Sequence, residues 1–171
     1  MKMSNLLIIG TFILLGIVAC QPPEPTIEDL FPKQLNLLQH GIPIAIQTPE
    51  DAKVTNRSDN FMQDVIVEGT DYYVQIYSQN ATALSCSDLA TEAQREIETG
   101  ANTTFQRMIK EEDCGFIYEV QAAGDTTKCY NFSYYRVQGN KSFSFSTTTG
   151  RRKPFTQEQV ERIYEAVKAQ K

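Results

Sequence analysis

MQDVIVEGTDYYVQIYS, residues 62–78, sets the architecture. On either side of Gly69-Thr70 the apolar residues recur every second position, the period of a strand with one buried face. Val65, Val67, Tyr72, Val74 and Ile76 share one face, and Asp64, Glu68, Tyr73 and Gln75 take the other. With Gly69 and Thr70 as a two-residue loop, Val67 opposes Tyr72 and Val65 opposes Val74. A hairpin with one apolar face has to be covered by another layer, so the chain must supply helices to lie against it.

The remaining strands read outward from this hairpin. GIPIAIQTPED (41–51) alternates Ile42, Ile44 and Ile46, and Pro43 places that strand at an edge. Beyond residue 104, FQRMIK (105–110), CGFIYEVQ (114–121), KCYNFSYYRVQ (128–138) and KSFSFSTT (141–148) are strands, joined by EED, AAGDTT and GN turns. A Gly139-Asn140 loop pairs Tyr134 with Phe145 and Arg136 with Phe143. If Phe116, Tyr118 and Val120 oppose Tyr130, Phe132 and Tyr134, one aromatic face runs across three strands and serves as core beneath a helix.

Helices account for the rest. TIEDLF (26–31) is a short helical turn capped by Thr26, and Pro32 stops it. SDLATEAQREIETG (87–100) is a helix with Ser87 as N-cap, Leu89, Ala93 and Ile97 at i+4 spacing, and Gly100 past its end. In the final segment Thr156 and Gln159 form a capping box, Phe155 and Val160 are spaced as a staple, and Val160, Ile163, Tyr164 and Val167 form an apolar stripe. The expected fold class is α+β: a mostly antiparallel sheet packed against helices, including a C-terminal amphipathic helix.

The amino terminus has a different composition. Lys2 precedes an uncharged apolar stretch of 13 residues, Leu6–Val18, which ends at Ala19-Cys20 before Gln21-Pro22-Pro23-Glu24-Pro25. That stretch is shorter than the about 20 residues that span a bilayer, and its layout is that of an export signal. Ile17-Val18-Ala19-Cys20 resembles the lipobox of bacterial lipoproteins. The resemblance implies cleavage before Cys20, diacylation of its thiol (palmitate among the acyl chains) and a membrane anchor. Two or three chains anchor stably where one does not, at about 0.8 kcal/mol per buried methylene. Gln21 in place of aspartate then points to the outer membrane. The domain reading is a signal peptide over 1–19, a lipidated cysteine with a proline-rich tether over 20–34, and one α+β domain over 35–171.

Loss of residues 1–19 removes Lys2, so the mature charge is 15 basic minus 21 acidic residues, or −6. Six basic and 18 acidic residues lie in 20–127, against nine and three in 128–171. That balance argues against nucleic acid as a partner. Of the three remaining cysteines, an odd number suggests one disulfide and one leftover thiol. The helix from Ser87 runs the length of the sheet and the strand from Phe105 returns, so Cys86 and Cys114 meet at one end while Cys129 opens a strand at the other. The expected disulfide is Cys86–Cys114; the register above also puts Cys114 and Cys129 on opposite faces. Sequons at Asn56, Asn80, Asn102, Asn131 and Asn140 are incidental if the protein is a bacterial lipoprotein.

The element order from HGIPIAIQTPED (40–51) through two hairpin regions to the closing helix resembles the PsbP-like α/β/α sandwich over about residues 35–170. That resemblance implies a binding or accessory role and carries over no functional residue.

No residue pattern specifies a reaction. His40, the only histidine, sits where a helical turn meets a strand, and no base is marked for Cys129. No CxxC pair, EF-hand spacing or glycine-rich phosphate loop occurs, so no metal and no cofactor are expected. Glu111-Glu112-Asp113 reads as a turn, Glu92 and Glu96 as a helix surface, and Arg151-Arg152-Lys153 as a candidate anion-binding cluster in a loop. The expected function is a lipid-anchored, non-catalytic binding or accessory module of the bacterial cell envelope, with the membrane and an envelope protein as partners. The alternative is a carboxylate-based hydrolase acting on envelope or extracellular polymers.

Overall fold

The computed structural model describes residues 25–82, 85–100, 103–122, 124, 126–147 and 154–170. Cys20 and the Arg151-Arg152-Lys153 cluster lie outside the described residues, as do the signal segment and the first part of the tether. The elements in chain order are α1 (Ile27–Leu30), β1 (Lys33–Asn36), β2 (Ala45–Thr48), β3 (Lys53–Asn56), β4 (Gln63–Gly69), β5 (Tyr72–Asn80), α2 (Cys86–Thr99), β6 (Thr103–Glu112), β7 (Gly115–Ala122), β8 (Lys128–Gln138), β9 (Lys141–Ser146) and α3 (Gln157–Lys168). A short 3-10 turn, Leu38–His40, joins β1 to β2, and His40 sits half-buried at its end. The fold is α+β, as the alternation demanded.

Seven strands form one antiparallel sheet in the order β3-β4-β5-β9-β8-β7-β6, and β1 and β2 form a separate two-stranded sheet. The last strand in sequence is therefore the middle strand in space. Its β8–β9 turn has the expected register, Tyr134 opposite Phe145 and Arg136 opposite Phe143. Gly139 at φ 61° supplies the left-handed residue such a turn requires.

Two registers differ from the sequence reading. In the β4–β5 hairpin the loop is Thr70-Asp71, so Gly69 opposes Tyr72, Val67 opposes Val74 and Val65 opposes Ile76. Asp71 takes the positive φ of 49°. Gly69 is needed for another reason: a Cβ there would lie 2.7 Å from Pro49 Cγ and 2.9 Å from Asp51 Oδ1. The shift is two residues, an even number, so the apolar face is unchanged. In the β7–β8 pair the slip is odd. Ile117 opposes Phe132, Gly115 opposes Tyr134 and Glu119 opposes Tyr130. Phe116, Tyr118 and Val120 instead share a face with Ser133, Asn131 and Cys129, so the expected three-strand aromatic stripe is split between the two faces.

One face carries most of the core, while Ile66, Tyr73, Phe116 and Val120 are buried on the other. On the first, Val65, Val67, Tyr72, Val74, Ile76, Ile117, Phe132, Phe143 and Phe145 are buried. They lie beneath α3, whose Val160, Ile163, Tyr164, Ala166 and Val167 are buried. The Tyr164 ring meets Phe132 edge-on at 5.7 Å and Tyr134 at 6.0 Å. The capping box of α3 is present, with Thr156 and Gln159 each bonding the other's backbone N–H. β2 and the segment that joins it to β1 extend this cover with Leu37, Ile42, Ile44 and Ile46. α1 carries its own capping box between Thr26 and Asp29, and Phe31 is buried with its ring 5.2 Å from Tyr72. Residues 27–34 are thus folded onto the domain and not part of the tether expected over 20–34, because Phe31 fills a core position.

α2 lies on the opposite face, over β6–β8. Its N-cap is Ser85 and not Ser87, with the Ser85 hydroxyl accepting from the Asp88 N–H. Gly100 ends the helix at φ −64°, in extended backbone. The acidic run expected as a turn is mostly strand: Glu111 and Glu112 belong to β6, and the chain reverses at Asp113-Cys114.

Cys86 and Cys114 form the disulfide, with Cα atoms 5.0 Å apart, pinning the start of α2 to the β6–β7 turn. Cys129 stays outside it, half-buried, with its thiol 3.9 Å from the Thr127 carbonyl. Cys114 and Cys129 are not on opposite faces as expected: Val120 opposes Cys129, and both cysteines lie on the α2 face. Separation along the strand decides the matter: Cys114 and Val120 are six residues, or about 20 Å, apart. Replacing Cys86 and Cys114 together by serine should lower stability by about 2–4 kcal/mol in urea unfolding. A non-reduced peptide map should show the single Cys86–Cys114 bridge; a bridge containing Cys129 would contradict the topology.

Candidate functional site

β9 reads Lys141-Ser142-Phe143-Ser144-Phe145-Ser146. Phe143 and Phe145 enter the core, so strand alternation sends Ser142, Ser144 and Ser146 to the α2 face. Their neighbours there are fixed by register. Ser146, Ser144 and Ser142 lie beside Gln75, Tyr77 and Gln79 of β5. On the other side they meet Ser133, Tyr135 and Val137 of β8. A column of small residues between two columns of larger ones is a trough.

The trough opens where the cover of α2 ends. Leu89 of α2 forms one wall, Met62 at the start of β4 forms another, and Tyr77, Gln79 and Tyr135 rise around Ser142 and Ser144. The groove measures about 350 Å³, within the range of small-ligand sites. Phe61, beside Met62, is 93 % exposed. The loop carrying both is ordered by Asp59, whose Oδ1 accepts the N–H groups of Phe61 and Met62 at 2.7 and 2.8 Å.

The lining Met62, Tyr77, Gln79, Leu89, Tyr135, Ser142, Phe143 and Ser144 contains no ionisable carboxylate, ammonium or guanidinium. Burial raises the Tyr77 phenol, with a further push from Asp64 outweighing the opposing pull of Arg57. Burial also raises the Tyr135 phenol, despite its hydrogen bond with Ser133. Both therefore stay protonated at neutral pH and offer an O–H. The Tyr77 oxygen already accepts from Gln75 Nε2, which also donates to Asp64 Oδ1 at 2.9 Å. That chain aims the Tyr77 hydroxyl.

The carboxylates that converge elsewhere are committed to structure. Glu112 on β6 takes Tyr164 Oη at 3.0 Å, Lys168 Nζ at 2.7 Å and Lys110 Nζ at 3.0 Å. Lys110 also holds Glu165 at 2.6 Å. Both ammonium groups lie over the Tyr164 ring, at 5.4 and 5.5 Å. Partial burial pushes the Glu112 carboxyl up, but hydrogen bonds from Lys168, Lys110 and Tyr164 outweigh it and bring it to about 2. Glu119, with a side chain 3 % exposed, is paired with Lys128 at 2.9 Å and Arg107 at 3.0 Å. Lys128 leads in holding its carboxyl below the ordinary value, against the opposing effect of burial. A general acid for glycoside hydrolysis needs a raised carboxyl, the opposite condition. Glu92 and Glu96 are exposed on α2, as a surface pair should be.

Among the described residues no group of three or more His, Cys, Asp and Glu side chains could hold a metal, and no helix is long and apolar enough to cross a membrane. Of the sequons, Asn131 is buried, its Oδ1 accepting from Thr147 Oγ1 at 3.2 Å, whereas Asn56, Asn80 and Asn140 are exposed. The serine trough was not singled out from sequence. Its signal was the strict Phe/Ser alternation in 142–146, and only the central position of β9 shows that the serine face is flanked on both sides. No protein-family model matches the chain, and no curated protein matches it either.

The Glu112 cluster sets an acid limit. Its folded value, about 2, lies below its ordinary 4.5, so its contribution is fully present above pH 4.5 and is lost as pH falls toward 2. In melts followed by circular dichroism, Glu112→Gln should be less stable than wild type at pH 7, with the gap narrowing across that window. A gap that stays constant to pH 2 would remove Glu112 from the acid response.

Proposed function

We propose that this chain is a lipid-anchored, non-catalytic binding or accessory module of the bacterial cell envelope, attached through Cys20. The observation that carries the reading is Ile17-Val18-Ala19-Cys20, closing a 13-residue apolar run directly before Gln21-Pro22-Pro23. Acylation there supplies stable membrane attachment without a spanning helix. Gln21 favours the outer membrane, and the partners are the membrane through the anchor and an envelope protein or ligand. The likeness in element order to the PsbP-like α/β/α sandwich supports a binding role.

The arrangement of the domain supports this reading over the hydrolase. The converging carboxylates are locked in ion pairs with lowered pKa values, whereas the trough presents hydroxyl, amide and aromatic groups, which suit binding. The tether is also short. Six residues separate Cys20 from Ile27. The fold begins at α1, which packs against α3 on the face opposite the trough.

Cells expressing the protein and fed an alkyne palmitate analogue should label the wild type and not Cys20→Ala. The wild type should fractionate with membranes and the variant should not. The mature mass should correspond to a chain beginning at Cys20 with acyl chains attached. An unlabelled wild type that partitions into the soluble fraction would falsify the anchor.

A further inference from the structure

We propose that the trough over Ser142 and Ser144 binds a neutral sugar ring, seated between the flanking side chains of Tyr77 and Tyr135. This deepens the reading of the chain as a binding module and rests on it.

Three features of the trough select this ligand class. The first is spacing. Tyr77 and Tyr135 both pair with Ser144, from opposite sides. Neighbouring strands are about 4.8 Å apart, so the tyrosine columns stand about 10 Å apart with a serine floor between them. That leaves room for one ring-sized group. The second is chemistry. The trough offers hydroxyls from Ser142 and Ser144, the amide of Gln79 and two protonated phenols, beside the apolar walls of Leu89 and Met62. A sugar ring has both requirements in one molecule: hydroxyls that exchange hydrogen bonds, and C–H faces that pack on aromatic and aliphatic surface. A purely apolar ligand would cover the half-exposed Ser144 hydroxyl without giving it a partner. Among the described residues no charged side chain lines the trough, although Asp64 and Arg57 act on Tyr77 and Glu96 acts on Tyr135 from beyond it.

The third feature excludes an extended peptide. Peptides dock on sheets chiefly by adding a strand at an open edge, where main-chain groups are unpaired. β9 is the central strand, with β5 bonded on one side and β8 on the other. Its main chain has nothing left to offer, so only side chains can recognise a ligand.

The test uses the full-length protein in a sugar-free zwitterionic detergent. Saturation-transfer NMR and titration of tyrosine emission are run with maltotriose and N,N′,N″-triacetylchitotriose as neutral probes, and with trigalacturonate and tetra-alanine as acidic and peptide comparators. The neutral probes should bind and remain uncleaved. Ser144→Phe, which fills the trough from a half-exposed position, should weaken them by at least about tenfold, and Gln79→Leu should weaken them several-fold. Circular dichroism melts identify any variant that has lost its fold, and the Gln79 variant preserves the test if Ser144→Phe does. Failure of both neutral probes to bind, or equal binding by wild type and two folded variants, overturns the proposal. Binding of only trigalacturonate or tetra-alanine, abolished by Ser144→Phe, overturns the neutral-sugar assignment but leaves the binding-module reading standing. Cleavage of a probe overturns both.

Discussion

The fold depends on where β9 pairs. β3, β4 and β5 form one antiparallel block and β6, β7 and β8 another, and β9 is the strand that joins them into a single sheet. It does so across a large sequence separation, with Asn80 opposite Lys141 and Gln75 opposite Ser146. Two side contacts support the junction: Lys141 Nζ donates to Asn80 Oδ1 at 3.1 Å, and the Ala81 N–H donates to the Asn140 carbonyl at 2.9 Å. A slip of one residue would turn Phe143 and Phe145 out of the core and Ser142, Ser144 and Ser146 into it. Both the core beneath α3 and the floor of the trough therefore rest on one register. Such non-local pairing is slow to form, because the loop between β5 and β9 must close before its contacts contribute.

The parts legible in the sequence were those fixed locally. Gly139-Asn140 determined the β8–β9 turn because two-residue loops demand positive φ and few residues supply it. Thr156 and Gln159 marked α3 because capping is a matter of three residues. In the first hairpin the same logic misled. Gly69 looked like the turn residue, but it is glycine so that Pro49 and Asp51 can approach, and Asp51 then binds the true turn through the Thr70 N–H and hydroxyl. The β7–β8 register had no short turn to set it, and it was misread by an odd number. Phe31 was assigned to the tether because its partner, Tyr72, is 41 residues away in sequence and no local pattern announces the contact.

The two faces of the sheet are covered unequally, and this places the candidate site. Seven strands span about 29 Å between their outer axes at 4.8 Å spacing, while one helix with its side chains is about 10–12 Å across. On the core side, α3 is joined by α1 and by the β1–β2 pair with its connecting segment, where Leu37, Ile42, Ile44 and Ile46 extend the apolar cover. The other side has α2 over β6–β8, and in α2 only Ala90 is buried. Strands beyond its reach cannot present a continuous apolar surface without becoming an aggregation or docking liability. The serines of β9, with Gln75 and Gln79 beside them, meet that constraint.

Packing economy alone would be satisfied by any small polar residues on that surface, and it does not explain the tyrosines. Tyr77 and Tyr135 bring large rings to the border of the same serine column, and the Gln75–Asp64 chain fixes the hydroxyl of one of them. Ordering side chains costs conformational entropy, so a polar surface facing only water has no reason to hold its hydroxyls in place. Against the core-side cluster the contrast is clear. There, Tyr164 is oriented by Glu112 and covered by Lys110 and Lys168, and each of those groups ties α3 to β6. Tyr77 accepts one bond from Gln75, and the same amide reaches Asp64 and so joins β5 to β4 within the sheet. One network ties helix to sheet, and the other ties strand to strand beneath an open trough.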